Sequence, residues 1–75
     1  MNEQDFYGQL ADILDADEVK PIDNLRDFEA WDSLAVLSIV AMADSKFGFT
    51  LTFPEVKTLV TADDLWKYFA AKRTK

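Results

Sequence analysis

The sequence predicts an all-α fold, a four-helix bundle with a long first loop and a short third helix. Three observations carry that expectation. Four segments space their apolar residues at helical intervals, with turn or capping signals between them. Only two Gly and two Pro fall among 75 residues, 49% of them hydrophobic, which suits an ordered domain and not a disordered tail. No strand pattern competes, because the alternating run Phe49-Thr50-Leu51-Thr52-Phe53 has no partner run. A chain this short forms one small core, so residues 1–75 are expected to make a single domain.

The first helix is expected from about Glu3 to Leu14. Phe6, Leu10, Ile13 and Leu14 share one face, with Tyr7 beside them. Residues 15–32 form a long link. It is expected to be an ordered loop, anchored by Val19, Pro21, Ile22, Leu25 and Phe28. The second helix is expected from about Ser33 to Phe47, with Gly48 as its stop. The third starts at Pro54, a tolerated first-turn position, with Thr52 or Phe53 as its cap, and runs to about Leu59. The fourth runs from about Ala62 to Ala71. Thr61 and Asp64 resemble a capping box, with Asp in place of the usual Glu. Leu65, Trp66 and Phe69 line its inner side, and Lys72 and Arg73 sit where the helix dipole favours cations.

The second helix carries two apolar stripes. Stepped at about 100° per residue, Val36, Ile39, Val40, Ala43 and Phe47 form a core face. Leu34, Leu37, Ser38, Ala41 and Ser45 form another stripe on roughly the opposite side. One buried face is enough in a small bundle. The second stripe is therefore either covered by the long loop or presented to a partner.

Composition excludes several functions. There is no cysteine, hence no disulfide, thiolate metal site or thiol catalysis. There is no histidine, the commonest general base and metal ligand. The start, Met1-Asn2-Glu3-Gln4-Asp5, lacks the basic and apolar regions of a secretory signal, which points to a cytoplasmic protein. The longest apolar stretch, residues 39–43, is far too short to span a bilayer. The net charge is −6 and uneven: residues 1–44 hold 11 acidic and 2 basic side chains, residues 45–75 hold 3 and 6. Such acidity disfavours nucleic acid. It suits a partner with a basic docking patch, or serves only to keep a small protein soluble.

Ser33 is the candidate functional residue. Asp-Ser before an apolar periodic run is what a helix cap looks like, and local chemistry alone favours that reading. As a self-activated nucleophile it would need a base and an oxyanion site. Without His, only Asp32 or a lysine is at hand, so an autonomous enzyme is not expected. A serine modified by another enzyme needs less: exposure, a rigid element and a surface to grip. A helix N-terminus also suits a phosphate.

Asp32-Ser33-Leu34 resembles the signature tripeptide of acyl carrier proteins, whose serine receives 4′-phosphopantetheine from coenzyme A. The surroundings agree with that resemblance. Trp31 precedes the tripeptide. The apolar helix after it ends in Asp44-Ser45-Lys46-Phe47-Gly48, similar to the family's acidic-then-Phe-Gly ending. Val60-Thr61-Ala62-Asp63-Asp64-Leu65 resembles the start of the family's last helix. The resemblance spans essentially the whole chain.

It implies that Ser33 is the attachment site and Asp32 the acidic neighbour contacted during arm transfer. Leu34, Leu37 and Ala41 would face partners, together with Asp27 and Glu29 of the acidic loop. The acyl group would be held as a thioester, in a cleft to which Val36, Val40, Leu59 and Phe69 are assigned. Implied partners are a phosphopantetheinyl transferase and acyl ligases, synthases or acyltransferases, acting on a monomer. One departure stands out. Carriers of the fatty-acid type usually bear several acidic residues on the second helix. Here that helix has Ser38 where Glu is often found, and only Asp44 near its end. A dedicated acyl, polyketide or lipid pathway is expected, with docking by apolar contact and loop charge. An aminoacyl carrier of the peptidyl or D-alanyl type, and a helical interaction module with Ser33 as a mere cap, stay open as alternatives.

Overall fold

The computed structural model describes residues 1–74. Four helices form the bundle: α1 (Glu3–Ile13), α2 (Ser33–Met42), α3 (Phe53–Lys57) and α4 (Ala62–Lys72). α2 runs on into one wider π turn, Ala43–Phe47, and a single 3₁₀ turn, Leu25–Asp27, interrupts the first loop. No strand occurs among the described residues. Asn24 and Thr61 pair only as an isolated antiparallel bridge. The all-α expectation holds, with its long first loop and short third helix.

α1 begins where the Asn2 side chain accepts from the Asp5 N–H at 2.8 Å, satisfying one of the unpaired donors of the first turn. It ends at Ile13, one residue short of the expectation, because Asp15 takes a left-handed φ of 53°. The Ala16 N–H then donates to the Ala11 carbonyl at 2.9 Å and closes the helix end. Gly8 lies inside α1 with open space around the position of a Cβ. Gly8→Ala is therefore expected to stabilise the fold by about 0.5–1 kcal/mol and to raise Tm by about 2–8 °C in a thermal melt.

The long loop is ordered, but two of its expected anchors are not buried. Val19 and Leu25 lie in the core and Phe28 packs against it. Pro21 and Ile22 are exposed, Ile22 at 83%. Backbone hydrogen bonds do the pinning that those side chains were expected to do. The N–H groups of Leu25, Ala62 and Asp63 donate to the carbonyls of Val60, Asp23 and Pro21 at 2.9, 3.0 and 3.0 Å. The loop is thereby stitched to the α3–α4 connection.

Ile39, Ala43 and Phe47 of the expected core face are buried, and Ala35 and Met42 of α2 join them. Val36 and Val40 are only half-buried. Size misleads here: the small Ala35 lies inside, and the larger Val36 lies at the edge. The π turn ends at Gly48, whose left-handed φ of 74° glycine adopts at no steric cost. The Thr74 N–H donates to the Phe47 carbonyl at 2.8 Å, and its hydroxyl donates to the Gly48 carbonyl at 2.7 Å. The end of the described chain thus closes the end of this helix.

α3 is capped by Thr52. Glu55 Oε1 accepts from the Thr52 N–H at 3.1 Å and from its hydroxyl at 2.8 Å, while Glu55 Oε2 accepts from the Tyr68 hydroxyl of α4. α3 stops at Lys57, before the expected Leu59, which lies in a following turn. At α4 the expected capping box forms: Thr61 Oγ1 accepts from the Asp64 N–H at 3.1 Å, and Asp64 Oδ2 accepts from the Thr61 N–H at 3.1 Å. The N–H groups of Thr61 and Val60 hold the Asp64 carboxyl below its ordinary pKa. A carboxyl depressed in the folded state stabilises the fold above its unfolded pKa, and that contribution is lost as pH falls through the folded value. Below about pH 4, Asp64→Asn is thus expected to lose stability less steeply than the parent in acid titrations followed by circular dichroism.

The centre of the bundle is aromatic. Phe6, Phe47 and Phe69 are fully buried. Their ring centroids lie 6.0 Å (Phe6–Phe47), 5.1 Å (Phe6–Phe69) and 4.9 Å (Phe47–Phe69) apart, two of the pairs nearly perpendicular. Trp66 and Phe49 add rings at 5.2 Å from Phe6 and from Phe69 respectively.

Candidate functional site

The first turn of α2 is built by its neighbours in the loop. Asn24 Oδ1 accepts from the Arg26 N–H at 2.9 Å and starts the 3₁₀ turn, whose Leu25 is fully buried. The Trp31 N–H then donates to the Phe28 carbonyl at 3.0 Å, and Asp32 takes an extended backbone. Asp32, not Ser33, is the cap: its Oδ1 accepts from the Ala35 N–H at 2.9 Å. This corrects the reading of Ser33 as a capping residue. Ser33 is the first helical residue, it is exposed, and its hydroxyl makes no hydrogen bond among the described residues.

Asp32 is thereby committed. Its carboxylate orients the helix end and is not positioned by a bonded partner as a base on Ser33. What the site offers is an uncommitted hydroxyl on a rigid turn at a helix N-terminus, where backbone N–H groups and the dipole favour an anion.

Ser33 opens onto a surface groove of about 590 Å³ between α2, α3 and the end of the first loop. Val36, Leu37 and Val56 line it, with Trp31 and Phe53 as its aromatic members and Arg26 and Lys57 as its cations. Arg26 holds the groove together. Its guanidinium donates to the Leu59 carbonyl at 2.7 Å and the Lys57 carbonyl at 3.1 Å, and lies 5.9 Å from the Trp31 ring centroid. One side chain therefore caps the end of α3 and buttresses the tryptophan two residues before Ser33.

The other predicted residues divide clearly. Leu34 and Leu37 are exposed at 73% and 50%, and Ser38, Ala41 and Ser45 are exposed as well. The long loop does not cover this stripe, so that alternative is set aside. Asp27 and Glu29 are exposed on the loop. Of the four residues assigned to an acyl cleft, the structure brings only Val36 to the groove beside Ser33. Val40 is half-buried, and Leu59 and Phe69 belong to the core. Sequence reasoning missed Arg26, Phe53, Val56 and Lys57. The signals were faint: Arg26 is a cation in an otherwise acidic stretch, and Phe53 is a large apolar residue at a helix start.

Among the described residues, no helix is long and apolar enough to cross a membrane, and no group of acidic side chains is arranged to hold a metal ion.

Among curated proteins, the chain is similar to an acyl carrier protein of Beutenbergia cavernae, with 33% identity over 75 residues, covering 92% of this chain and 92% of that protein. No protein-family model matches the chain, and no solved structure matches it.

Proposed function

The chain belongs to the acyl carrier protein family, and from that premise we propose that Ser33 is the attachment point of a 4′-phosphopantetheine arm. The chain is then a carrier, a substrate of other enzymes with no reaction of its own to catalyse. The observation that carries this reading is the division of labour at the α2 N-terminus. Asp32 takes the cap, which leaves the Ser33 hydroxyl exposed and unbonded.

The residues present fit the arm. A phosphodiester on Ser33 would meet the positive end of the α2 dipole, with Lys57 and Arg26 on the same groove. The thiol at the far end of the arm supplies the thioester linkage that the cysteine-free chain lacks. In attachment, Ser33 Oγ forms the new P–O bond to the pantetheine-side phosphorus of coenzyme A. The pyrophosphate P–O bond breaks, adenosine bisphosphate leaves, and the hydroxyl proton passes to the transferase or to solvent. Residues 1–75 act as one unit in this scheme, presented singly to each partner.

The bare α2 surface supports a dedicated pathway for acyl, polyketide or lipid intermediates, inside the cell, in which ligases, synthases or acyltransferases dock by apolar contact. Leu37→Arg is expected to slow loading by cognate enzymes about tenfold or more, since it places a charge at the centre of that contact. Unchanged kinetics would count against apolar docking.

The test of the arm itself is direct. The protein is incubated with coenzyme A, Mg²⁺ and a promiscuous phosphopantetheinyl transferase, and intact mass is measured. The expected result is a gain of one phosphopantetheine that fragmentation places on Ser33. No gain, or a gain placed on another residue, overturns the proposal.

A further inference from the structure

Arg26 joins distant parts of the chain to the turn that presents Ser33. It lies in the single 3₁₀ turn of the first loop, next to Leu25, whose burial in the core fixes the backbone there. From that point its guanidinium reaches residues 31 and 33 positions away. It donates to the Lys57 carbonyl, at the end of α3, at 3.1 Å and to the Leu59 carbonyl, in the turn beyond, at 2.7 Å. A helix cannot satisfy its own last carbonyls, so a cation with several donors is stabilising there. The same guanidinium lies 5.9 Å from the Trp31 ring centroid. Trp31 is half-buried, so the core holds only part of that ring. Its N–H donates to the Phe28 carbonyl at 3.0 Å, and the residue after it is the cap, Asp32. Backbone and ring of Trp31 are thus both restrained directly ahead of the Asp32-Ser33 turn.

We propose, resting on the carrier reading of Ser33, that Arg26 is a positioning residue for arm attachment: it clamps Trp31 to the end of α3, so that the transferase meets a surface around Ser33 that is already ordered. Arg26 acts through other groups. Its bonds go to the Lys57 and Leu59 carbonyls and its face to Trp31, and neither Asp32 nor Ser33 is among these partners. Side chains that must be ordered on docking cost affinity, and a clamp that orders them beforehand removes that cost. The task suits arginine in particular. Its planar fork bonds two acceptors while its face covers a ring, whereas a lysine ammonium is a point charge on a flexible stem and cannot do both.

The test compares the full parent chain with Arg26→Gln, Arg26→Lys, Trp31→Leu and the Arg26→Gln/Trp31→Leu double variant. Circular dichroism first verifies that each is folded at the assay temperature. Initial rates of arm attachment by a promiscuous phosphopantetheinyl transferase, with coenzyme A and Mg²⁺, are then measured against carrier concentration. Arg26→Gln is expected to shift the Trp31 indole N–H resonance in NMR spectra and to raise KM for the carrier about three- to tenfold, the cost of ordering one side chain anew. Its kcat is expected to stay at the parent value, because the lost interaction serves the bound state and the transition state alike. Arg26→Lys keeps the charge without the fork and is expected to behave like Arg26→Gln. Trp31→Leu leaves both carbonyl bonds in place and tests the clamp from its other side, even where Arg26→Gln fails to fold. It is expected to raise KM as well, and adding Arg26→Gln to it is expected to raise KM no further. Parent-like KM in Arg26→Lys overturns the inference by showing that charge alone suffices. A loss carried by kcat overturns it, and so do independent, multiplying losses in the double variant. A parent chain that gains no mass instead overturns the carrier reading on which the inference stands, and intact mass separates that failure from the others.

Discussion

Ser33→Ala is expected to abolish loading from coenzyme A completely and to leave the fold untouched. The two halves of that expectation have separate physical causes. Loading is lost because no other hydroxyl occupies the first position of α2, and alanine offers no oxygen to phosphorus. Stability is kept because the serine hydroxyl bonds nothing among the described residues, while the cap belongs to Asp32. Alanine is also the better helix former by a few tenths of a kcal/mol. Asp32→Ala provides the contrast. It removes the acceptor of the Ala35 N–H and is expected to cost about 1 kcal/mol, lowering Tm by about 4–8 °C. It leaves the Ser33 hydroxyl in place, so loading slows without vanishing. Intact mass and thermal melts on the two variants check this together. A Ser33→Ala variant that still gains one phosphopantetheine would show the attachment site to be misplaced, and one that melts well below the parent would show the hydroxyl to be structural.

Much of the fold is legible in the sequence because helical signals are local. Thr61 and Asp64 cap across three residues, and the apolar spacing of Phe6 and Leu10 lies within one helix. Those readings hold. Readings fail where a distant partner decides. Ile22 reads as an anchor by its hydrophobicity, yet its segment is held by backbone bonds to residues about forty positions on, and its side chain stays outside. On the second helix Ile39, Ala43 and Phe47 are buried as read, but Ala35 and Met42 lie inside where Val36 and Val40 were expected, a choice set by neighbours and not by α2 itself.

The candidate site divides in the same way. Ser33 and the exposed stripe of Leu34, Leu37 and Ala41 lie on one helix and are readable from it. The groove is not, because it joins residues 31–37 to residues 53–57 through Arg26, whose acceptors lie 31 and 33 positions away. The roles of Asp32 and Ser33 could not be separated in sequence either. Both are good caps, and only the hydrogen bond to Ala35 shows which one caps.

The buried rings at the centre of the bundle set the cost of disturbing the core. Phe69→Ala is expected to be among the most damaging single changes in the molecule. The ring is fully buried and touches Phe6, Phe47 and Phe49 at centroid distances of 5.1, 4.9 and 5.2 Å. Truncation of a buried Phe typically costs about 3–5 kcal/mol. A domain of this length has roughly 4–11 kcal/mol in total, so the variant retains little or no cooperative transition at 37 °C. Phe69→Leu keeps most of the volume and loses the ring geometry, which points to a smaller cost of about 1–2 kcal/mol. Paired with Phe47→Leu in a double-mutant cycle, it should show a coupling of about 0.5–1.5 kcal/mol from the lost edge-to-face contact. Urea titrations of the four proteins give both numbers. Additive losses would show that the rings act only as volume. A coupling of the expected size would show that their mutual geometry carries stability of its own.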